Sequence, residues 1–99
     1  MPRSSASKHH HVYVVALEGI PGGTGQEIYV GMTGLSPEVR FANHKRGYKA
    51  ARVVKKYGVR LLPELYEHMN PMSWENAARM EVLYAQQLRR RGYTVYGGH

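Results

Sequence analysis

Two β-rich segments, HVYVVAL at 11–17 and IYVGM at 28–32, flank the Gly- and Pro-rich stretch EGIPGGTGQE at 18–27. No other feature constrains the fold as strongly. β-branched and aromatic runs bounded by turn residues read as strands, and the glycines and proline between them read as a loop. The two strands are expected to pair as an antiparallel hairpin, with a register that the loop length leaves open. Side-chain alternation puts Tyr13, Val15 and Leu17 on one face of the first strand, and Tyr29 and Gly31 on one face of the second.

A turn, TGL, follows. Ser36 offers an N-cap oxygen, Pro37 fits the first helical position, and Glu38 suits the positive end of a helix dipole. This predicts a helix to about Arg46, stopped by Gly47. A short basic helix is expected over 49–57, ended by Gly58. VRLLPELYEH, 59–68, reads as a third strand, at an edge or broken at Pro63, because proline has no N–H for a ladder. NPM reads as a loop. Ser73 can cap a long helix over about 74–91, with Gly92 beyond it, and YTVYGGH closes the chain as a short extended tail. The order is β-β-α-α-β-α, an α+β fold. A chain of 99 residues makes one domain, here 11–99 behind a flexible tail at 1–10.

The net charge of +7 is large for this length. From Arg40 to Arg60 the basic residues Arg40, Lys45, Arg46, Lys49, Arg52, Lys55, Lys56 and Arg60 occur with no acid among them, and Arg89, Arg90 and Arg91 form a second cluster. Such density suits a polyanion, since each contacted phosphate releases condensed counterions. The plainer reading is a solvated face that keeps the protein soluble. There is no cysteine, which excludes a disulfide frame and a Cys-based zinc site. No apolar signal core and no run approaching the roughly 20 residues of a membrane span is evident. A cytoplasmic setting without a membrane partner is the expectation.

On the last helix Trp74, Ala78, Glu81, Ala85 and Leu88 share one stripe at 3-4-3-4 spacing, flanked by Ala77 and Tyr84. That stripe should face the core, yet Glu81 sits in its middle. A buried carboxylate costs several kcal/mol unless paired or bound to metal. Glu81 therefore either pairs with an arginine, lies at the stripe's edge, or ligates a hard cation. Arg40 and His44 stand four apart on the first helix and project from one face. On their own they read as ordinary surface residues, and the two strand tyrosines read as core or interface groups.

Together these features resemble the GIY-YIG nuclease family. HVY at 11–13 stands where Gly-Ile-Tyr is expected, and YVG at 29–31 supplies the second motif. RFANH places Arg40 and His44 at positions matching the family's helix arginine and its basic or tyrosine partner. Glu81 matches the family's metal-binding glutamate on a later helix. The resemblance spans about residues 11 to 96. The chain departs from the pattern in four places. The first motif lacks its glycine, and PGGTG lengthens the loop between the tyrosines. Position 32 is Met rather than polar. The asparagine that often follows the glutamate helix has no counterpart beyond Tyr96 and His99.

The resemblance implies a three-stranded antiparallel sheet flanked by helices. It also implies a metal-dependent endonuclease that hydrolyses phosphodiester bonds in DNA, with one active site per chain, nicking activity and low intrinsic sequence specificity. Glu81 would hold one Mg²⁺ or Mn²⁺ and Arg40 would bind the scissile phosphate. Tyr13 would be the general base, with Tyr29 orienting water or phosphate and standing as the alternate base. His44 would relay a proton or hydrogen-bond a tyrosine. Gly31 would let backbone or substrate phosphate approach closely. Lys45, Arg46, Lys49, Arg52, Lys55 and Lys56 would contact nucleic acid. The implied partner is DNA, branched and single-stranded forms included, with RNA as the second polyanion and a protein partner as a source of specificity. The competing reading is a nuclease-derived domain that binds nucleic acid through the same basic residues without cutting. A third is a small interaction module using Trp74 and Tyr66.

Overall fold

The computed structural model describes residues 8–98. Strand β1 (His11–Leu17) pairs antiparallel with β2 (Glu27–Thr33), with Tyr13 opposite Gly31 and Val15 opposite Tyr29. This register decides what alternation within each strand left open: the two tyrosines and Gly31 lie on one face. Antiparallel β3 (Gly58–Leu61) adds to the other edge of β1. The sheet has a fourth member: β4 (Thr94–Gly97) pairs in parallel with β2, Tyr29 opposite Tyr96, giving the order β3-β1-β2-β4. The expected three-stranded antiparallel sheet is therefore corrected to a four-stranded mixed one. Only TVY carries strand character in the tail, too short a run to read as a strand. Two glycines let it dock. At Gly97 a Cβ would lie 2.4 Å from the Val30 carbonyl oxygen, and at Gly98 one would lie 2.3 Å from the Ala85 Cβ.

Helix α1 (Pro37–Arg46) is capped as its sequence demands: Ser36 Oγ accepts from the Val39 N–H at 3.2 Å, and Gly47 ends it in the left-handed region at φ 90°. Helix α2 (Arg52–Tyr57) starts later than expected, because Lys49 adopts φ 48°, which no right-handed helix contains. The third strand is shorter than 59–68. Leu62 N–H makes the last bond to β1, to the Val14 carbonyl at 2.9 Å, and Pro63 then opens a 3₁₀ turn at 63–65, followed by another at 67–69. Proline breaks the strand, the second of the two roles expected of it.

Beyond β3, the segment 70–72 covers the rest of that edge. The Asn70 amide binds both the N–H and the carbonyl of Val12, at 3.0 and 2.7 Å, and His10 pairs with Met72 through two backbone bonds. His10 thus belongs to the fold rather than to a tail. Of the rest of the expected flexible tail, residues 8 and 9 belong to no helix or strand and residues 1–7 lie outside the described residues, as does His99.

Residues 12–15 of β1 are all buried, so both faces of the sheet's centre are covered. Helices α1 and α2 pack on β1 and β3, while α3 (Trp74–Arg90) packs on β1, β2 and β4. The buried face of α3 is Ala77, Tyr84, Ala85 and Leu88, whereas Trp74 is 57% exposed. The two residues taken as flanking the stripe lie within the buried face, and Ala78 and Glu81 fall at its edge, half-buried. Tyr66 is buried, which removes it from any docking surface. Among the described residues no helix is long and apolar enough to cross a membrane.

Candidate active site

The inner face of α1 sets His44 against the tyrosine face of the hairpin. The His44 side chain is fully buried, and both ring nitrogens are engaged. Nδ1 accepts the Ala51 backbone N–H at 3.0 Å, and Nε2 lies 2.8 Å from the Tyr13 hydroxyl. An accepting Nδ1 has no proton, so the neutral ring carries its proton on Nε2 and donates to Tyr13. Burial, and then the charge of Arg40, lowers the His44 pKa to about 4, which keeps the ring neutral at pH 7. Of the two roles expected of His44, this geometry is that of hydrogen-bonding a tyrosine.

The ring of Tyr29 completes a cluster of three. Its centroid is 6.2 Å from that of Tyr13 and 5.7 Å from that of His44, which it meets edge-on. Gly31 is essential to this packing: a Cβ there would lie 2.7 Å from Cζ and Oη of Tyr13 and 2.9 Å from Cε2 of Tyr29. The space that Gly31 leaves is filled by the phenol of its cross-strand partner. The expectation that it admits a phosphate is corrected accordingly.

Arg40 and Glu81 reach this cluster from α1 and α3. Burial pushes the Tyr13 hydroxyl well above its ordinary range, Tyr29 and Glu81 push the same way, and Arg40 pulls back through its charge and a hydrogen bond. Burial also raises Tyr29, with Glu81 adding to the rise and Arg40 and Tyr13 opposing it. Arg40 is tethered as well: Nη2 donates to the Lys49 carbonyl at 2.8 Å and Nη1 to that of Tyr48 at 3.3 Å. All five residues singled out from the sequence thus converge on one place. Tyr13 is 1% exposed, whereas Tyr29 is only half-buried, so the two tyrosines are not equivalent towards solvent.

The basic residues divide by what they touch. Lys45 Nζ donates to the carbonyls of Gly58, Lys55 and Val54 at 2.8, 2.9 and 3.4 Å, which clamps the C-terminal end of α2. Arg46 binds the Asn43 side-chain oxygen through Nε and Nη2. Arg46 and Lys49 both stand over the exposed Tyr48 ring, and Lys56 stands over Tyr57. Arg52, Lys55 and Lys56 line one shallow surface depression. In the second cluster Arg89 holds the Val95 carbonyl of β4 at 3.1 Å.

Among the described residues no group of three or more His, Cys, Asp or Glu side chains is arranged to hold a metal. Glu81 is the carboxylate at the cluster. Glu27 is buried elsewhere, where its carboxylate accepts the N–H groups of Thr24 and Gly25 and the Thr24 hydroxyl, which hold its pKa below the usual carboxylate range. A lone carboxylate fits Mg²⁺ in one respect. That ion keeps several waters and takes one or two carboxylates plus phosphate oxygens rather than an all-protein cage.

Sequence reasoning missed three participants: Ala51, whose N–H fixes the His44 tautomer, Tyr48, and the glycine pair of the tail. An aromatic between two cations after a helix-stopping glycine is a readable signal for Tyr48. The Ala51 N–H leaves none. Comparison with protein-family models, with curated proteins and with solved structures finds no match.

Proposed function

We propose that this chain is a divalent-metal-dependent endonuclease of the GIY-YIG kind, acting on phosphodiester bonds of nucleic acid from one site. The observation that carries the reading is the convergence of Tyr13, Tyr29, Arg40, His44 and Glu81. Three of them form one ring cluster, and the other two act on it electrostatically.

His44 donates its Nε2 proton to the Tyr13 oxygen, which leaves the Tyr13 O–H to donate onward towards Tyr29. That donor chain runs from the buried interior to the half-buried tyrosine. A hydrogen bond donated to the Tyr29 oxygen stabilises its phenolate, the form that can take a proton from water, and so favours Tyr29 as the base with Tyr13 as its support. Both tyrosines hold their protons at rest, because burial raises their pKa values, so the half-buried Tyr29 must first release its own proton to solvent before it can act as a base. Arg40 opposes the rise in pKa and would counter charge on the scissile phosphate. Glu81 would hold the Mg²⁺ or Mn²⁺ ion, which when bound supplies Lewis-acid polarisation and stabilises the leaving oxygen.

The deciding experiment incubates purified protein with supercoiled plasmid and Mg²⁺ or Mn²⁺, beside Glu81→Gln and an EDTA control. Metal-dependent nicking that falls at least about 100-fold in the variant is expected. Wild-type protein that binds duplex, branched and single-stranded DNA and RNA but cuts none of them overturns the proposal. That result would leave the non-catalytic binding domain, a reading favoured by the lone carboxylate and the raised tyrosines.

A further inference from the structure

Tyr48 sits in the α1–α2 loop with its side chain 56% exposed, although it is a large aromatic in a chain that buries Tyr13, Tyr66 and Tyr84. Its backbone is fixed. The Tyr48 N–H donates to the Asn43 carbonyl at 2.9 Å, and Arg40 holds the carbonyls of residues 48 and 49. Gly47 at φ 90° and Lys49 at φ 48° on either side turn the chain sharply around it. Two cations stand over the ring, the Arg46 guanidinium carbon 5.9 Å and the Lys49 ammonium 5.7 Å from its centroid. A rigidly mounted, outward-facing aromatic between two cations has the composition of a stacking platform for an unpaired base, because every base offers a π-face, Arg46 is held in place by the Asn43 side-chain oxygen, and the Lys49 ammonium can swing to a neighbouring phosphate.

We infer that Tyr48 stacks a nucleobase of an unpaired nucleotide beside the proposed cleavage site, so that the preferred substrate is single-stranded or locally unpaired nucleic acid. This rests on the nucleic-acid part of the proposed function but not on hydrolysis. Arg40 ties the two places together, since the side chain assigned to the phosphate also anchors the Tyr48 backbone. Paired bases inside a duplex hide their faces in the stack, so the platform discriminates by strandedness rather than by sequence. Arg52, Lys55 and Lys56 then serve the flanking backbone.

The test uses fluorescence. Trp74 is the sole tryptophan, so Tyr48→Trp in a Trp74→Phe background leaves one indole on the platform. Stacking is expected to quench that indole when oligo-dT or oligo-U is added, and a blunt duplex is expected to quench it far less. The DNA and RNA arms report which backbone is preferred. In anisotropy titrations with wild-type Trp74, Tyr48→Ala should weaken single-strand binding about tenfold while leaving duplex binding within about twofold, and Tyr48→Phe should retain wild-type affinity. Single-strand binding without quenching, or equal losses on both substrates for Tyr48→Ala, overturns the inference. Quenching by a protein that never nicks supports the platform and refutes the nuclease. Nicking without quenching does the reverse.

Discussion

The ring cluster and the basic surface meet on the same helix, α1, yet they are built in opposite ways. His44 faces inward, fully buried, with one partner on each ring nitrogen. Lys45, the next residue, is exposed and reaches past the helix to three carbonyls at the end of α2. The buried cluster tolerates no empty partner, because each unsatisfied polar atom there keeps its desolvation penalty. The surface cations can exchange partners at little cost. The contrast also separates cations that hold the fold from those available to a ligand. Lys45 and Arg89 belong to the first kind, while Arg52, Lys55 and Lys56 share a solvent-facing depression.

Truncating the cluster should have the largest effect. His44→Ala strands both the Ala51 N–H and the Tyr13 hydroxyl and opens a void, so a loss of about 2–4 kcal/mol is expected in urea unfolding. His44→Gln can accept from Ala51 and donate to Tyr13, and should recover most of that loss. Equal destabilisation by the two variants would mean that volume, not hydrogen bonding, governs the site. Gly31→Ala comes next. Its methyl group must displace the Tyr13 phenol, costing about 1–3 kcal/mol by overpacking. Any nicking activity should fall further than stability alone explains, as read by thermal melts beside plasmid assays.

On the surface, Lys45→Met should cost about 1 kcal/mol by releasing the end of α2. Lys56→Ala should change stability by less than about 0.5 kcal/mol but flatten the salt dependence of nucleic-acid binding by about one unit of slope. Were Lys45→Met to flatten the slope without destabilising, the division between structural and ligand-facing cations would collapse. The most specific effect is one of pH. The His44 pKa is depressed from 6.5 unfolded to about 4 folded, so between those values the unfolded chain binds more protons. The stabilisation from neutral His44 is complete above about 6.5 and disappears as pH falls through about 4. Unfolding free energies at pH 7 and pH 4.5 should therefore differ less in His44→Gln than in wild type. Identical pH slopes would show that His44 does not titrate as its surroundings dictate.

Much of this arrangement is legible in the chain. Ser36, Pro37 and Gly47 determine the ends of α1 by local chemistry, and Ser73 does the same for α3. Alternation places Tyr13 on one face of β1, and Tyr29 with Gly31 on one face of β2, before any register is known, and the i, i+4 spacing gathers Arg40 and His44. These are short-range consequences of backbone geometry, independent of what lies across the fold. The buried face of α3 was less legible, because a helical wheel locates an apolar arc only to within a residue's width. Trp74 fell outside that arc and Tyr84 inside it.

What only the tertiary structure decided concerns partners far apart in sequence. The parallel pairing of β4 with β2 depends on where α3 returns the chain and on Gly97 and Gly98 fitting against Val30 and Ala85. The tautomer of His44 depends on a backbone N–H seven residues away, brought inward by the turn at Gly47 and Lys49. The purpose of Gly31 became clear only once Tyr13 was found opposite it. Composition specified a basic chain with a tyrosine hairpin. Which cations hold the fold, which tyrosine faces solvent and which proton sits on the histidine are properties of packing, because burial and partner distance exist only after the chain has closed on itself.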